Sequence, residues 1–332
     1  MDGGARMLQL VDDTLMALKG TMPSKKELQS FCELLFTIGV DIIELPIEVY
    51  HYIGELPRGR YILNVEFEEE ICTNPGFYRY VCRQPSRDLN VIHEIQLNDI
   101  REIIKLRTFE HCAEVRIKGL DDLICYPYEK YMGEWSSQLP GTTIHFCPEN
   151  TFGCATALAF QWVMNFGSNV TTSFAGCRNN AATEELIMAL RLAIRHKPNR
   201  DLTVLPRLTN LYESIFGVRV NNRKPIIGKN IFKVEAGIHA DGIHKNPATY
   251  EAYAPGCVGA KSELVIGKHS GTRAVKLKLE ELNLPIASDY VIDQILHQVR
   301  LICTKERKSL NEEEFILLAT EVMRFEGDQI YC

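Results

Sequence analysis

Several patterns that would assign this chain to a class of protein are missing from its sequence. No run of apolar residues approaches the ~20 that are needed to cross a bilayer. The first residues, MDGGARMLQLVDD, lack the charged and then apolar pattern of a secretory signal. The net charge of -6 gives no global attraction to nucleic acid or to an anionic membrane. We therefore expect a cytoplasmic protein that binds neither.

The cysteines carry no motif. Eleven of them are scattered from Cys32 to Cys332, and no CxxC pair occurs. Without a secretory signal we expect reduced thiols, most of them small core residues. No GxGxxG follows the first apolar run, which argues against an open dinucleotide-binding sheet, although such a sheet remains the rival fold.

Short apolar runs alternate with helical patterns along the first ~235 residues. The run 24–39 begins with Ser24 and has Glu27 three residues later, the pattern of a capping box. The run 183–196 places Leu186, Ile187 and Leu190 on one stripe. Such alternation favours a parallel sheet with crossover helices. Eight runs are predicted to be strands, at residues 8–11, 40–45, 61–67, 90–96, 113–120, 142–147, 169–174 and 231–235.

Eight such units fit a (β/α)8 TIM barrel in size. The residue pattern changes near residue 240, where a loop-like segment leads into helical patterns. We predict an α/β fold with the barrel at 1–238 and a C-terminal helical subdomain at 239–332.

Five segments of the sequence carry a family resemblance. The segment GIHADGIHKNPATYEAYAPGCVG (237–259), followed by LVIGKHSG, resembles the part just past the barrel in homocitrate synthases of the nitrogenase-cofactor type, and is similar to 2-isopropylmalate synthases. FGCATALAF (152–160) and NNAATEELIMAL (179–190) resemble that family's sixth and seventh barrel units. KPIIGKN (224–230) resembles the run into its eighth strand.

The resemblance implies an acyltransferase chemistry. Enzymes of this family condense acetyl-CoA with a 2-oxoacid such as 2-oxoglutarate. A divalent metal in the barrel mouth binds the oxoacid, and a base forms the acetyl enolate.

The residues that this chemistry needs are changed here. Met16 stands where the family has its catalytic arginine. The four positions of the family's metal ligands hold Ala17, Cys147, Glu149 and Thr172. Alanine offers no ligand and threonine only a neutral hydroxyl. We therefore expect that the barrel mouth binds no metal and holds no cation that could bind a keto acid by itself. The chain alone should be inactive in the family reaction.

A second interpretation of the same strand is a different metal site. In TTIHFCPE, the residues His145, Cys147 and Glu149 alternate and share one strand face, and this trio could bind Zn²⁺. The alternative, which we favour, is a degenerate pocket in which these side chains only form hydrogen bonds.

The C-terminal motif supplies the candidate catalytic residues. In the resembling enzymes the histidine of GIHxDG enters the barrel mouth of a neighbouring chain as an acid–base group. The resemblance assigns that role to His239, with Asp241 orienting the imidazole and Tyr250 facing the partner's site. The alternative is a structural role, in which His239 is a loop histidine that caps a backbone group.

The turn GKHSG offers a second candidate contact. Lys268 and His269 precede a helix and could receive an anion such as a phosphate of CoA. The simpler interpretation is a turn in which Ser270 caps the helix.

Three hypotheses follow. The first is a pseudoenzyme subunit of an oligomer that donates His239 to a metal-competent homocitrate synthase-like paralogue, or to itself in a dimer. The second is an independent enzyme with altered metal chemistry. The third is a non-catalytic protein that binds a small acid in the old pocket.

Overall fold

A computed structural model describes residues 7–82, 88–246, 249–285 and 287–329. For residues 238, 240, 241, 244 and 325–329 it describes the backbone alone. The chain divides into two compact units, Met1–Gly228 and Lys229–Cys332, and each is described here by itself. The division falls ahead of the predicted boundary at residue 238.

The first unit is a closed barrel of parallel strands in sequential order, in which the last strand pairs with the first. This confirms the predicted (β/α)8 fold class. The strands are β1 (Gln9–Asp12), β2 (Ile42–Pro46), β3 (Arg60–Val65), β4 (Arg79–Cys82), β5 (Val91–Leu97), β6 (Glu114–Gly119), β7 (Thr143–Pro148) and β8 (Asn169–Thr172).

Helices cross between most of these strands. They are α1 (Lys25–Ile38), α2 (Ile47–Ile53), α3 (Glu69–Thr73), α4 (Tyr128–Gln138), α5 (Ala155–Asn165), α6 (Thr183–Ile194) and α7 (Leu205–Phe216). Between β5 and β6 the connection contains a 3-10 stretch, Ile100–Phe109. The capping box of α1 is confirmed, because Ser24 Oγ accepts from the Glu27 amide at 3.2 Å and Glu27 Oε2 accepts from the Ser24 amide at 3.0 Å.

One barrel strand was missed, and one predicted strand exists but lies outside the barrel. β4 has four residues and follows turn-formers, so its alternation is too short to be recognised from the sequence. The run 231–235 lies in the second unit, where Lys233 and Val234 pair with Glu263 and Leu264. The resembling segments therefore follow the seventh and eighth strands, and KPIIGKN does not lead into a barrel strand.

The barrel interior changes character along its axis. Near the amino ends of the strands, five buried apolar side chains from neighbouring strands pack together: Val11, Ile42, Ile62, Val81 and Ile92. Charged and hydroxyl-bearing side chains fill the interior nearer the carboxyl ends. The apolar layer supplies stability, and the polar layer faces the end at which (β/α)8 barrels place their sites.

The second unit is built on a small parallel pair and four helices. These elements are β9 (Lys233–Val234), α8 (Gly237–Lys245), β10 (Glu263–Leu264), α9 (Thr272–Glu281), α10 (Asp289–Glu306) and α11 (Glu312–Gln329). Its core joins the apolar faces of the last three helices, with Val275, Ile295 and Phe315 fully buried. Across the part of the chain that is described, no helix has the length and apolar character to cross a membrane.

The end of β6 makes a testable packing prediction. A Cβ on Gly119, which has φ +100°, would lie 2.2 Å from the carbonyl oxygen of Leu97. Gly153 has φ +71° and open space around its Cβ position. We expect Gly153→Ala to cost about 1–2 kcal/mol, because of its left-handed backbone alone. Gly119→Ala should cost about 2–5 kcal/mol in the free energy of unfolding, since the clash adds to the strain.

Urea unfolding of both variants beside the natural chain measures the two costs. Equal losses would contradict the close approach of β5 and β6.

Candidate functional site

The strand register arranges the inner face of the barrel in rows. Glu94, Arg116 and His145 occupy one row across β5, β6 and β7. The row nearer the mouth holds Gln96, Lys118 and Cys147. Arg116 reaches a carboxylate on β2, on the far side of the barrel, so this face of β6 points inward.

A buried arginine links three strands inside the barrel. The Arg116 guanidinium lies 2.6 Å from Glu44 Oε2 and 3.1 Å from Glu94 Oε2, and both Arg116 and Glu44 are 1% exposed. Asn64 Nδ2 donates to the other oxygen of Glu44 at 3.2 Å. Burial opposes ionisation, but the charges of Arg116 and Arg178 and the hydrogen bonds from Arg116 and Asn64 together outweigh it and lower the pKa of Glu44. The carboxylate of Glu44 is therefore already neutralised by the protein.

A second arginine closes the end of β1. The Arg178 guanidinium forms an ion pair with Oδ2 of the fully buried Asp13. Ser173 Oγ donates to Asp13 Oδ1 at 2.5 Å, and Asn180 Nδ2 lies 3.1 Å from both oxygens. Every oxygen of this carboxylate thus has a donor from the loop that follows β8.

That loop takes a strained path. Within Phe174–Asn179, the non-glycine residues Ala175, Arg178 and Asn179 have φ between 58° and 61°. A left-handed conformation costs roughly 1–2 kcal/mol for such residues. The Ala175 amide donates to Glu184 Oε2 at 2.9 Å, which ties the loop to the start of α6. The bonds to Asp13 and to Glu184 stabilise these strained backbone conformations and hold Arg178 at the barrel mouth.

The neighbouring carboxylate, Asp12, is held by neutral donors. Thr183 Oγ1 donates to Asp12 Oδ2 at 2.6 Å, and the Thr14 amide donates to Oδ1 at 3.0 Å. Burial outweighs these bonds and raises the pKa of Asp12 to about 6. Thr172 Oγ1 lies 2.7 Å from Thr183 Oγ1, so its hydroxyl belongs to the same chain of bonds.

The residues at the family's four ligand positions do not fit a divalent metal. Ala17 has no donor, and the Thr172 hydroxyl is engaged with Thr183. Burial raises the pKa of the Cys147 thiol far above its usual range, which disfavours the thiolate that a metal needs. Glu149 is the one oxygen ligand that remains of this set. Among the described residues, no three His, Cys, Asp or Glu side chains are placed to hold an ion.

The zinc interpretation of the β7 residues finds no support in this geometry. His145 is buried, and its Nε2 lies 2.9 Å from Glu114 Oε2. Glu114 in turn accepts from Arg79 Nε at 2.6 Å. His145 is therefore committed to a polar cluster nearer the amino ends of the strands.

The expectation that the mouth holds no cation able to bind a keto acid by itself stays a prediction. Two arginines do lie at the mouth, Arg116 and Arg178, and each forms an ion pair with a carboxylate of this chain. The sequence held a signal for the first, since Glu114, Arg116 and Lys118 alternate in a predicted strand. Charges at every second position would place ionic groups in the barrel. No comparable signal marks Arg178, because its placement depends on the left-handed loop.

The candidate catalytic residues lie in the second unit. His239 is exposed on α8, and its ring centroid lies 5.5 Å from that of Tyr250, which is 47% exposed. The side chain of Asp241 lies outside the described residues, and its backbone belongs to the same helix. The structure thus brings two of the three predicted residues together.

The GKHSG turn is built around a glutamate. The His269 amide donates to Glu235 Oε1 at 2.6 Å, and the side chains of Lys268 and His269 are exposed. Ser270 Oγ accepts from the Gly267 amide at 3.0 Å, and so closes the turn. The N-cap of α9 is Gly271, without a side-chain bond, so the predicted helix cap by Ser270 is wrong. A carboxylate already occupies the donor at His269.

Comparison with known proteins decides the family. The chain is 30% identical over 314 residues to the omega subunit of homocitrate synthase from Clostridium pasteurianum, and the match covers 88% of each protein. The chain belongs to the homocitrate synthase family.

Other comparisons agree with this assignment. Residues 226–307 match the family model described as homocitrate synthase post-HMGL domain-like. Homocitrate synthase AksA of Methanothermobacter thermautotrophicus is 36% identical over 176 residues, 52% of this chain and 44% of that protein. A hydroxymethylglutaryl-CoA lyase from Pseudomonas aeruginosa has a TM-score of 0.52 at 15% identity over 65% of this chain and 95% of its own, which shows a shared fold alone.

The position at which the resemblance predicts the family's catalytic arginine holds Met16, but two arginines enter the mouth, one from β6 and one from the loop after β8. Both are paired with carboxylates of the chain itself. The charges of these two arginines are therefore already engaged inside the chain.

The raised pKa of Asp12 predicts how stability depends on pH. Its usual value is 3.8 and its folded value is about 6, so the folded state holds the proton more tightly. The chain should therefore lose stability as the pH rises from about 4 to about 6, by about 3 kcal/mol from this group. Asp12→Asn keeps one acceptor oxygen and cannot ionise, so it avoids this loss of stability. The difference in free energy of unfolding between Asp12→Asn and the natural chain should therefore shift in favour of the variant across that pH interval and then level off.

Urea unfolding at several pH values measures this difference. Asp99→Asn is the matched control, because the Arg101 bonds hold the pKa of Asp99 at about 2 and give the opposite sign. A constant difference between Asp12→Asn and the natural chain would contradict the burial argument.

Proposed function

We propose that this chain is a subunit of a heteromeric homocitrate synthase-like enzyme and donates His239 to the site of a metal-competent partner chain. On this proposal the complex condenses acetyl-CoA with a 2-oxoacid, and the metal belongs to the partner. The observation that carries the proposal is the barrel mouth, where Glu44 and Asp13 are engaged in ion pairs with Arg116 and Arg178.

Two features support a role on another chain. Ala17 and Thr172 leave this barrel without ligands at two family positions. His239 is exposed beside Tyr250, so its imidazole is accessible from outside this unit. The relative that matches over most of the chain carries the word subunit in its name, which favours a heteromer.

The chemistry assigned to His239 is proton transfer. An imidazole exchanges protons near neutral pH, which suits a group that gives or takes a proton at the acetyl or oxo carbon. Tyr250 packs against the ring and restricts its orientation. No step is assigned to a metal in this chain, since its residues do not fit one.

Mixing experiments test the proposal. Combined with a homocitrate synthase-like chain that keeps the Arg-Asp, His-x-His and Asn residues, this chain should support thiol release from acetyl-CoA with 2-oxoglutarate. His239→Ala should lower kcat of the mixture by about 10²–10⁴-fold, the range of a lost acid–base group. His297→Ala, an exposed histidine of α10 in the same unit, is the control and should keep full activity.

Both variants should copurify with the partner as the natural chain does, so that the loss reports chemistry and not assembly. Full activity of the His239→Ala mixture would contradict the assignment of that residue. Turnover by the purified chain alone would favour an independent enzyme instead.

A further inference from the structure

A cavity lies at the end of the barrel opposite to the mouth. Its walls come from the last turn of α2 and from the loops at 54–59 and 74–78, which lead into the amino ends of β3 and β4. Its volume is about 450 Å³, within the range of small-molecule pockets, roughly 300–1,000 Å³. Neither the mouth nor His239 uses this space, so the proposed function leaves it unexplained.

Aromatic side chains form much of the lining. Tyr50, Tyr61, Phe77 and Tyr78 all contribute to it. Tyr50 and Phe77 meet edge to face, with ring centroids 4.9 Å apart and an angle of 88° between the ring planes. Because rings packed in this way restrict each other, they form a preformed apolar surface on which the flat ring of a ligand can pack.

One cation joins these rings. Arg60 is the one charged residue in the described lining of the cavity, which contains no carboxylate. Its guanidinium carbon lies over the Tyr78 ring, 4.9 Å from the centroid. A guanidinium held over an aromatic face keeps the N–H groups at its edge available for an anion. The side chain is 41% exposed, so an anion from solvent can reach it.

The carboxylate near Arg60 is already engaged by other groups. Asp41 Oδ1 lies 4.0 Å from Arg60 Nη2, beyond the length of a hydrogen bond. Asp41 Oδ2 accepts from Lys197 Nζ at 2.6 Å and from the Leu10 amide at 2.9 Å. Within the described parts of the chain, no acceptor forms a hydrogen bond with the Arg60 guanidinium. The hydrogen-bonding capacity of this cation is therefore unused.

A neutral donor in the lining is unused as well. The Tyr61 hydroxyl donates to the Pro57 carbonyl at 2.9 Å. The Tyr78 hydroxyl accepts from Gln9 Nε2 at 3.3 Å. The Tyr50 hydroxyl, in contrast, has no hydrogen-bond partner among the residues that the structure describes. The cavity thus combines aromatic walls with two groups that can donate to an anion.

We propose that this cavity binds a small aromatic anion. The ring of the ligand packs on Tyr50 and Phe77, and its anionic group pairs with Arg60. The Tyr50 hydroxyl supplies a further donor. An aromatic carboxylate and a nucleoside monophosphate share this chemistry, since each joins a flat ring to an anionic group. The site lies within the barrel unit and does not depend on the proposed heteromer.

Calorimetric titration of the purified chain at low ionic strength tests the site with two probes, indole-3-acetate and AMP. The tighter of the two should bind with a Kd of about 1 mM or below. Indole and adenosine lack the charge, and acetate and phosphate lack the ring. Each of these fragments should bind at least about tenfold more weakly than its parent probe.

The order of the two probes identifies the source of the ligand. Tighter binding of AMP would indicate a nucleotide, and tighter binding of indole-3-acetate would indicate an aromatic acid. Either order supports the proposal, because both ligands use the ring and the anionic group.

Two pairs of substitutions locate the ligand. Arg60→Gln should weaken the tighter probe by at least about tenfold, the usual loss for a hydrogen bond to a charged group. Arg58→Gln removes an exposed arginine two residues earlier that is outside the lining, and should leave the Kd unchanged. Phe77→Leu should weaken binding by about 3–10-fold through loss of the ring. Phe67→Leu, at an exposed position outside the lining, is its control.

Absence of binding by both probes would overturn the inference. Equal affinity of Arg60→Gln and the natural chain would do the same, as would an equal loss in Arg58→Gln, which would indicate a general effect of charge. Fragments that bind as tightly as their parent probe would also contradict it. These titrations need neither a partner chain nor His239, so failure here is distinguishable from failure of the proposed function.

Discussion

Two carboxylates buried inside this barrel, Glu44 and Asp13, are held by arginines of the same chain. Arg116 crosses the interior to Glu44, and Arg178 reaches Asp13 from a strained loop. Breaking such a buried pair leaves an uncompensated charge and costs several kcal/mol. The strands, the loop after β8 and the polar layer of the barrel are all arranged around these two contacts.

The internal ion pairs connect the fold to its place in the homocitrate synthase family. Members of this family are expected to hold a metal and a catalytic arginine at the mouth. Here Met16 and Ala17 stand at two of those positions, and the arginines present serve structural pairs. The exposed His239 in the second unit keeps the form of the family's acid–base motif. The contrast between the paired arginines of the barrel and the exposed His239 of the second unit is the basis of the proposed division of work.

Much of the fold could be predicted from the sequence, because it rests on local alternation. Seven barrel strands and the capping box of α1 follow from periodicity and from Ser24 with Glu27. β4 could not be recognised, since four residues carry too little alternation. The run 231–235 has a strand-like composition, but it pairs with β10, and pairing partners are not encoded locally.

The candidate site could be predicted only in part. The changes at Cys147, Glu149 and Thr172 are predictions from a resemblance whose register runs without gaps through FGCATA and NNAATEEL. The contact between Arg178 and Asp13 joins residues that are far apart in the chain, through a loop of left-handed residues, and no spacing rule anticipates it.

Equilibrium dialysis of the purified chain against Mn²⁺ tests the central claim most directly, with a metal-competent homocitrate synthase as the positive control. If Arg116 and Arg178 neutralise the carboxylates of the mouth, the chain should take up no stoichiometric Mn²⁺ at ion concentrations that saturate the control. Binding of one ion per chain at those concentrations, lost on Asp13→Asn or Glu44→Gln, would contradict the account.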